Sequence, residues 1–206
     1  MVNTLLAHDL LWGMTPQQLP ADAPLWVVEV LSEGQPVVVR RALAAAGQIA
    51  VGVRGALREQ RFATVMDIAA IQRRVQPQAL CHAWLARDLP ALRALDQLRP
   101  MLDACGWVWG VSGSAGFELA SGFEALHEHS DLDLILRTPQ LLDRAQAQAL
   151  VNILDTAVCP VDMQLQTPSG AVALREWAGP SRRVLLKSAS GACLVSDPWN
   201  PQVQAA

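Results

Sequence analysis

Gly113-Ser114, sixteen connecting residues, then Asp131-Leu132-Asp133-Leu134-Ile135-Leu136 is the stretch on which the reading of this chain turns. Two carboxylates separated by one apolar residue in an apolar run leave a strand on the same face, with Leu132, Leu134 and Leu136 on the other. Acids held side by side repel, and a divalent cation relieves the repulsion. A Gly-Ser turn upstream suits phosphate: glycine lets a ligand approach the backbone N–H groups, and serine adds a hydroxyl donor. Metal-dependent phosphoryl or nucleotidyl transfer is the chemistry this pattern implies.

The flanking segments supply a frame. Trp107-Val108-Trp109-Gly110-Val111 predicts a strand before the Gly-Ser turn, and Asp131 to Arg137 a second strand. Pro139 to Thr156 carries apolar residues at helical spacing, with a proline in its first turn. Cys159 to Thr167 alternates as a strand, placing Asp162, Gln164 and Gln166 on one face. A strand–helix–strand unit would therefore present Asp131, Asp133 and Asp162 on sheet faces, and a metal-assisted displacement needs several carboxylate oxygens aimed at one point. Asp131 and Asp133 are expected as metal ligands, Asp162 as a third catalytic acid, and Gly113 and Ser114 as the phosphate-binding pair.

Upstream, Leu25 to Leu31, Val37 to Ala42 and Ile49 to Arg54 read as strands, with Ser32-Glu33-Gly34-Gln35-Pro36 as a hairpin link. Ala63 to Ile71 and Ala79 to Ala86 read as helical, as does Pro90 to Cys105, which opens the second unit. Val184 to Lys187 adds a late strand. The expected organisation is α+β: a small mixed α/β N-terminal domain over 1–88 and a catalytic domain over 89–206.

Of the 206 residues, 51% are hydrophobic and 17% charged, which excludes a disordered chain. A net charge of −3 argues against general nucleic-acid or anionic-membrane binding. The charge is uneven, with ten arginines against eight acids in 1–100 and six cationic residues against eleven acids in 101–206. Cys81, Cys105, Cys159 and Cys193 form no paired motif, so zinc and a disulfide framework are not expected. The N-terminus lacks the features of a signal peptide, and no run approaches the ~18 apolar residues of a membrane span. A cytoplasmic protein without membrane contact is expected.

Gly113-Ser114, Asp131-Leu132-Asp133 and Asp162 resemble the polymerase-β-type nucleotidyltransferase fold, in which a Gly-Ser turn precedes Asp-x-Asp and a third acid follows on a later strand. The sixteen-residue connection is longer than that superfamily usually shows and requires an insertion. A resemblance over nearly the whole chain is to the malonate decarboxylase holo-acyl-carrier-protein synthases, the phosphoribosyl-dephospho-CoA transferases. It rests on His8-Asp9-Leu10-Leu11-Trp12, Val38-Val39-Arg40-Arg41, Val51-Gly52-Val53-Arg54-Gly55, the run Gly113 to Gly122, Ser130 to Leu134, Val161-Asp162-Met163-Gln164-Leu165 and Val184-Leu185-Leu186-Lys187. The resemblance implies transfer of phosphoribosyl-dephospho-CoA from triphosphoribosyl-dephospho-CoA to a serine of the malonate decarboxylase acyl carrier protein, with release of pyrophosphate. It also implies a Mg²⁺ dependence through Asp131 and Asp133. Another nucleotidyltransferase, adenylylating a protein or small molecule, would share these residues, and a non-catalytic binding module could retain the fold.

Further candidates have competing readings. Arg40 and Arg41 are adjacent on a strand and face opposite ways; with Arg54, Arg58 and Arg61 they would bind phosphate or an acidic carrier, or form a solvated face. Lys187, the sole lysine, would contact triphosphate or sit on the surface. His127-Glu128-His129 reads as a metal-binding pair or an exposed loop. Glu118 would add a carboxylate to the metals or cap a helix.

Overall fold

The computed structural model describes residues 4–57 and 59–201, so Arg58 lies outside the described residues. The first part contains β1 (Leu10–Trp12), α1 (Leu25–Ser32), β2 (Val37–Val39), β3 (Gln48–Arg54), β4 (Arg61–Asp67) and β5 (Arg73–Val75). Its strands form one antiparallel sheet in the order β4-β3-β2-β1-β5. Helix α1 lays Val27, Val30 and Leu31 onto a core with Leu11, Val37, Val39, Val51, Val53 and Met66.

Three segments differ from the expectation. Leu25 to Leu31 is helical although valine-rich, because Pro24 sets the entry and the buried Val27, Val30 and Leu31 fall at i, i+3 and i+4. Ala63 to Ile71 is instead β4 followed by a single 3₁₀ turn; all seven residues of β4 pair with β3. Only Met66 of β4 is buried, so an exposed edge strand carries too little alternation to announce itself. Ala79 to Ala86 holds a 3₁₀ turn over Pro77–Leu80 and no α-helix; Leu80 and Cys81 pack into the second core.

The second part runs α2 (Pro90–Asp103), β6 (Val108–Val111), α3 (Gly113–Ser121), β7 (Leu132–Arg137), α4 (Arg144–Leu154), β8 (Val161–Thr167), β9 (Gly170–Ala173), α5 (Leu174–Ala178), β10 (Val184–Ser188) and β11 (Gly191–Val195). Its six strands are ordered β11-β10-β9-β8-β7-β6, with β7 and β8 parallel and the other neighbours antiparallel. The fold is thus mixed α+β on two sheets. Helix α4 starts later than Pro139 suggests. Asp143 is its N-cap, accepting the Gln146 N–H at 2.7 Å, while the Gln146 side chain accepts the Asp143 N–H at 3.2 Å.

Helices α2 and α4 share one core with Leu132, Leu134, Leu136, Met163 and Leu165. The opposite face of β7 and β8 therefore carries Asp133, Arg137, Asp162, Gln164 and Gln166. The first sheet is bound to the second part through polar contacts. Arg41 Nη2 donates to Gln166 Oε1 at 2.8 Å, and Arg54 Nη2 donates to Ser114 Oγ at 2.8 Å. In the same region Asp9 is fully buried, paired with Arg74 at 2.5 Å and accepting the Leu6 N–H at 2.8 Å. No helix among the described residues is long and apolar enough to cross a membrane.

Candidate active site

Parallel pairing of β7 with β8 makes Asp133 and Asp162 direct Cα partners. Asp131 lies two residues before Asp133, at the entrance to β7, where the Leu132 N–H bonds Pro160 O at 2.9 Å. One carboxylate oxygen of each of Asp131, Asp133 and Asp162 lies within 4.8 Å of the others. Asp133 is half-buried, and the other two are exposed. Three hard oxygen donors within that span suit a divalent cation. Among the described residues neither Asp131 nor Asp162 has an ion-pair partner.

The Gly-Ser pair reaches the cluster by register as well. The ladder between β6 and β7 continues past Val111, with the Ser112 N–H donating to Asp133 O at 2.9 Å. Ser112 then caps α3, and Gly113 and Ser114 are its first two residues. Gly113 has φ +60°, and a Cβ there would sit 1.8 Å from Asp133 Oδ2. The carboxylate thus occupies the space that a side chain at 113 would need. The first N–H groups of an α-helix lack partners within the helix, and Gly113 and Ser114 at the start of α3 line the same cavity as the acids, a natural place for phosphate oxygens.

The sixteen-residue connection has a structural account. Helix α3 takes it to Ser121, Gly122 closes the helix at φ +77°, and a return loop leads to Asp131. Glu118 fastens that loop. Buried within α3, it accepts the N–H groups of Ala125 and Leu126, each at 2.8 Å, and pairs with Arg87. Burial pushes its pKa up, but the two N–H donors and Arg87 outweigh it, leaving the carboxyl below its usual range. Glu118 therefore neither joins the metal cluster nor caps the helix.

A cavity of about 580 Å³ opens between the two parts. Asp131, Asp133, Gly113 and Ser114 of the second part line it together with Arg40, Arg54 and Arg61 of the first. Arg41, past the end of β2 rather than on a strand as expected, does not line the cavity and donates instead to Gln166. His127 and His129 lie at the cavity as exposed loop residues outside the acidic cluster, and Lys187 is exposed on β10 away from the lining. His8 is a lining residue that the sequence left unassigned, and its separation from the acids leaves no local signal of that placement. Burial, with the charges of Arg41 and Arg137, lowers its pKa to about 4, so its imidazole is neutral at pH 7.

Comparison with known proteins is consistent along the chain. Residues 6–77 match the family model of the N-terminal domain of phosphoribosyl-dephospho-CoA transferase MdcG, and residues 79–198 match that of its C-terminal domain. The chain is 69% identical over 206 residues to a phosphoribosyl-dephospho-CoA transferase of Pseudomonas fluorescens, covering 100% of both proteins. It is 58% identical over 197 residues to that of Azotobacter vinelandii, covering 93% of each. The relative in Pseudomonas aeruginosa is 54% identical over 194 residues, covering 93% of this chain and 92% of that protein. No solved structure matches. On both domain models and full-length identity, the chain belongs to the phosphoribosyl-dephospho-CoA transferase family of enzymes.

Proposed function

We propose that this enzyme transfers phosphoribosyl-dephospho-CoA from triphosphoribosyl-dephospho-CoA to a serine of the malonate decarboxylase acyl carrier protein, releasing pyrophosphate. The observation that carries this reading is the convergence of Asp131, Asp133 and Asp162, the first two lining, with the Gly113-Ser114 helix start, a cavity of about 580 Å³. Family membership supplies the dephospho-CoA-derived group. We further propose a polymerase-β-type nucleotidyltransferase character for the second part, with 1–88 and 89–206 as the two domains. The order of Gly-Ser helix start, Asp-x-Asp strand, helix and third-acid strand supports it.

In this reading Asp131 and Asp133 hold Mg²⁺, which when bound supplies neutralisation of charge on the phosphoryl oxygens. Gly113 and Ser114 orient the departing phosphates through the α3 N–H groups and the Ser114 hydroxyl. The carrier serine oxygen forms a bond to the phosphorus next to the ribose, and the bond from that phosphorus to the pyrophosphate oxygen breaks. Asp162, exposed beside Asp133, would take the serine proton. Incubating the enzyme with the carrier and the triphosphate donor should give a carrier one prosthetic group heavier by mass spectrometry, together with one equivalent of pyrophosphate. A wild-type transfer rate in Asp133→Ala would refute the proposal, and transfer from ATP in place of this donor would favour an adenylyltransferase.

A further inference from the structure

The first sheet places two arginines directly opposite each other. Arg54 ends β3 and Arg61 begins β4, and they are Cα partners at the last position of that ladder. Like charges at such a position weaken a sheet unless an anion lies between them. Both line the cavity, as does Arg40 just after β2, whose guanidinium has no hydrogen-bond or ion-pair partner among the described residues. Gly52 leaves Arg40 its room, since a Cβ there would lie 3.3 Å from Arg40 Cδ.

The Arg54 guanidinium is held toward the α3 N-terminus: Nη2 donates to Ser114 Oγ at 2.8 Å and to Ala125 O at 3.2 Å, and Cζ lies 5.6 Å from the Phe117 ring centre. Arg61 Nη1 donates to Leu57 O at 3.1 Å and Gln60 O at 2.8 Å. Burial and the charge of Arg61 both lower the Arg54 pKa, while Asp133 and Glu118 raise it. Arginines of the first part and carboxylates of the second thus line the same cavity. A polyphosphate with a divalent ion fits such a lining: its oxygens meet guanidinium donors, and the ion meets carboxylates.

We propose that Arg54 and Arg61, with Arg40, form a polyphosphate-binding wall, making the first sheet a substrate-binding part of the enzyme. This rests on the transfer reaction proposed above. The polyphosphate could be the triphosphate chain of the donor or the diphosphate inside its dephospho-CoA portion. Contact of Arg54 with Ser114 favours the triphosphate. Attached there, the wall would also stabilise the charge that grows on departing pyrophosphate.

Calorimetric titration of the full chain with inorganic tripolyphosphate, and separately with dephospho-CoA, in one Mg²⁺ buffer tests this. We expect Arg61→Gln and Arg54→Gln each to weaken tripolyphosphate binding roughly tenfold, the loss of one charged hydrogen-bonding partner. Arg182→Gln, exposed and away from the cavity, should leave it unchanged. Weakened dephospho-CoA binding in place of tripolyphosphate binding would support the wall and assign it to the internal diphosphate. Unchanged binding of both ligands in Arg61→Gln, which is exposed and should fold even if Arg54→Gln does not, would overturn the wall, as would a wild type that binds neither. A wild type that binds tripolyphosphate through these arginines but modifies no carrier would instead overturn the transfer reading.

Discussion

Replacing Gly113 by alanine would put a Cβ 1.8 Å from Asp133 Oδ2, 2.5 Å from its Cγ and 2.6 Å from its Cβ. A carboxylate oxygen can swing aside, but the Asp133 Cβ is fixed to β7, so side-chain rotation cannot clear the contact. Either α3 or β7 must shift, and the Ser112–Asp133 backbone bond joins the two. Gly113 also has φ +60°, a conformation that costs an L-residue about 1–2 kcal/mol. Overpacking adds about 1–3 kcal/mol, so the total is on the order of 2–5 kcal/mol of stability. Gly122→Ala isolates the backbone part: its φ is +77°, yet nothing lies within 4 Å of the new Cβ. We expect Gly122→Ala to lower stability by about 1–2 kcal/mol and keep its carrier-modification rate. Gly113→Ala should lose more stability and, because Asp133 can no longer align with Asp131 and Asp162, at least ~100-fold in rate. Denaturant unfolding and a carrier mass-shift assay measure the two effects. Equal stability losses in both variants, or wild-type transfer by Gly113→Ala, would refute the claimed packing of residue 113 on Asp133.

Glu118→Gln should destabilise by about 2–3 kcal/mol, since the amide oxygen can still accept both loop N–H groups at the Oε2 position but the charge is lost and the NH2 group is turned on Arg87. The lowered Glu118 pKa gives the wild type stability that is present above the unfolded value near 4.5 and lost as pH falls through the folded one. Acid unfolding of Glu118→Gln should lack that component. His8 has the opposite proton preference from a paired histidine: its folded pKa of about 4 lies below 6.5, so the unfolded chain binds more protons between these values. Stability should fall as pH drops from 6.5 to 4, by up to about 3 kcal/mol at about 1.4 kcal/mol per unit. His8→Asn, which tolerates the φ of 74° at this position, should flatten the thermal-melting profile over that range. Chelation by EDTA should abolish carrier modification, and added Mg²⁺ should restore it; full activity after exhaustive chelation would exclude the metal reading of the acidic cluster.

The sequence revealed segments where burial imposes a pattern. Leu132 to Leu136 and Val161 to Leu165 alternate because one face meets α2 and α4, and α2 carries its apolar stripe at Leu92, Leu95, Leu98 and Leu102. It failed where burial is slight or local preference runs against packing. The valines of α1 favour strands, but three residues at helical spacing bury against the first sheet. β4 is an edge strand with one buried residue, so alanine and methionine there read as helical. At the site, Asp131, Asp133 and Asp162 could be grouped because strand parity is local information. The cavity's arginines could not, since nothing in the sequence around Arg40, Arg54 or Arg61 says which sheet face meets which helix end.

That division has a mechanical counterpart in how the site is assembled. Backbone pairing positions the strand acids: Asp133 by its register with Asp162 on β8 and by the bond from Ser112 on the β6 side. A one-residue slip of β7 would turn Asp133 into the hydrophobic core, so the leucines that fix its inner face also fix its chemistry. The proposed phosphate-binding end is held differently. It depends on α3, whose exit loop is fastened by Glu118 and whose Ser114 is reached by Arg54 from the other sheet. Damage to Glu118 or Arg54 should therefore disturb phosphate positioning while sparing the acidic cluster. The strands are specified by core burial, and the helix start by a few polar contacts that local sequence patterning does not encode.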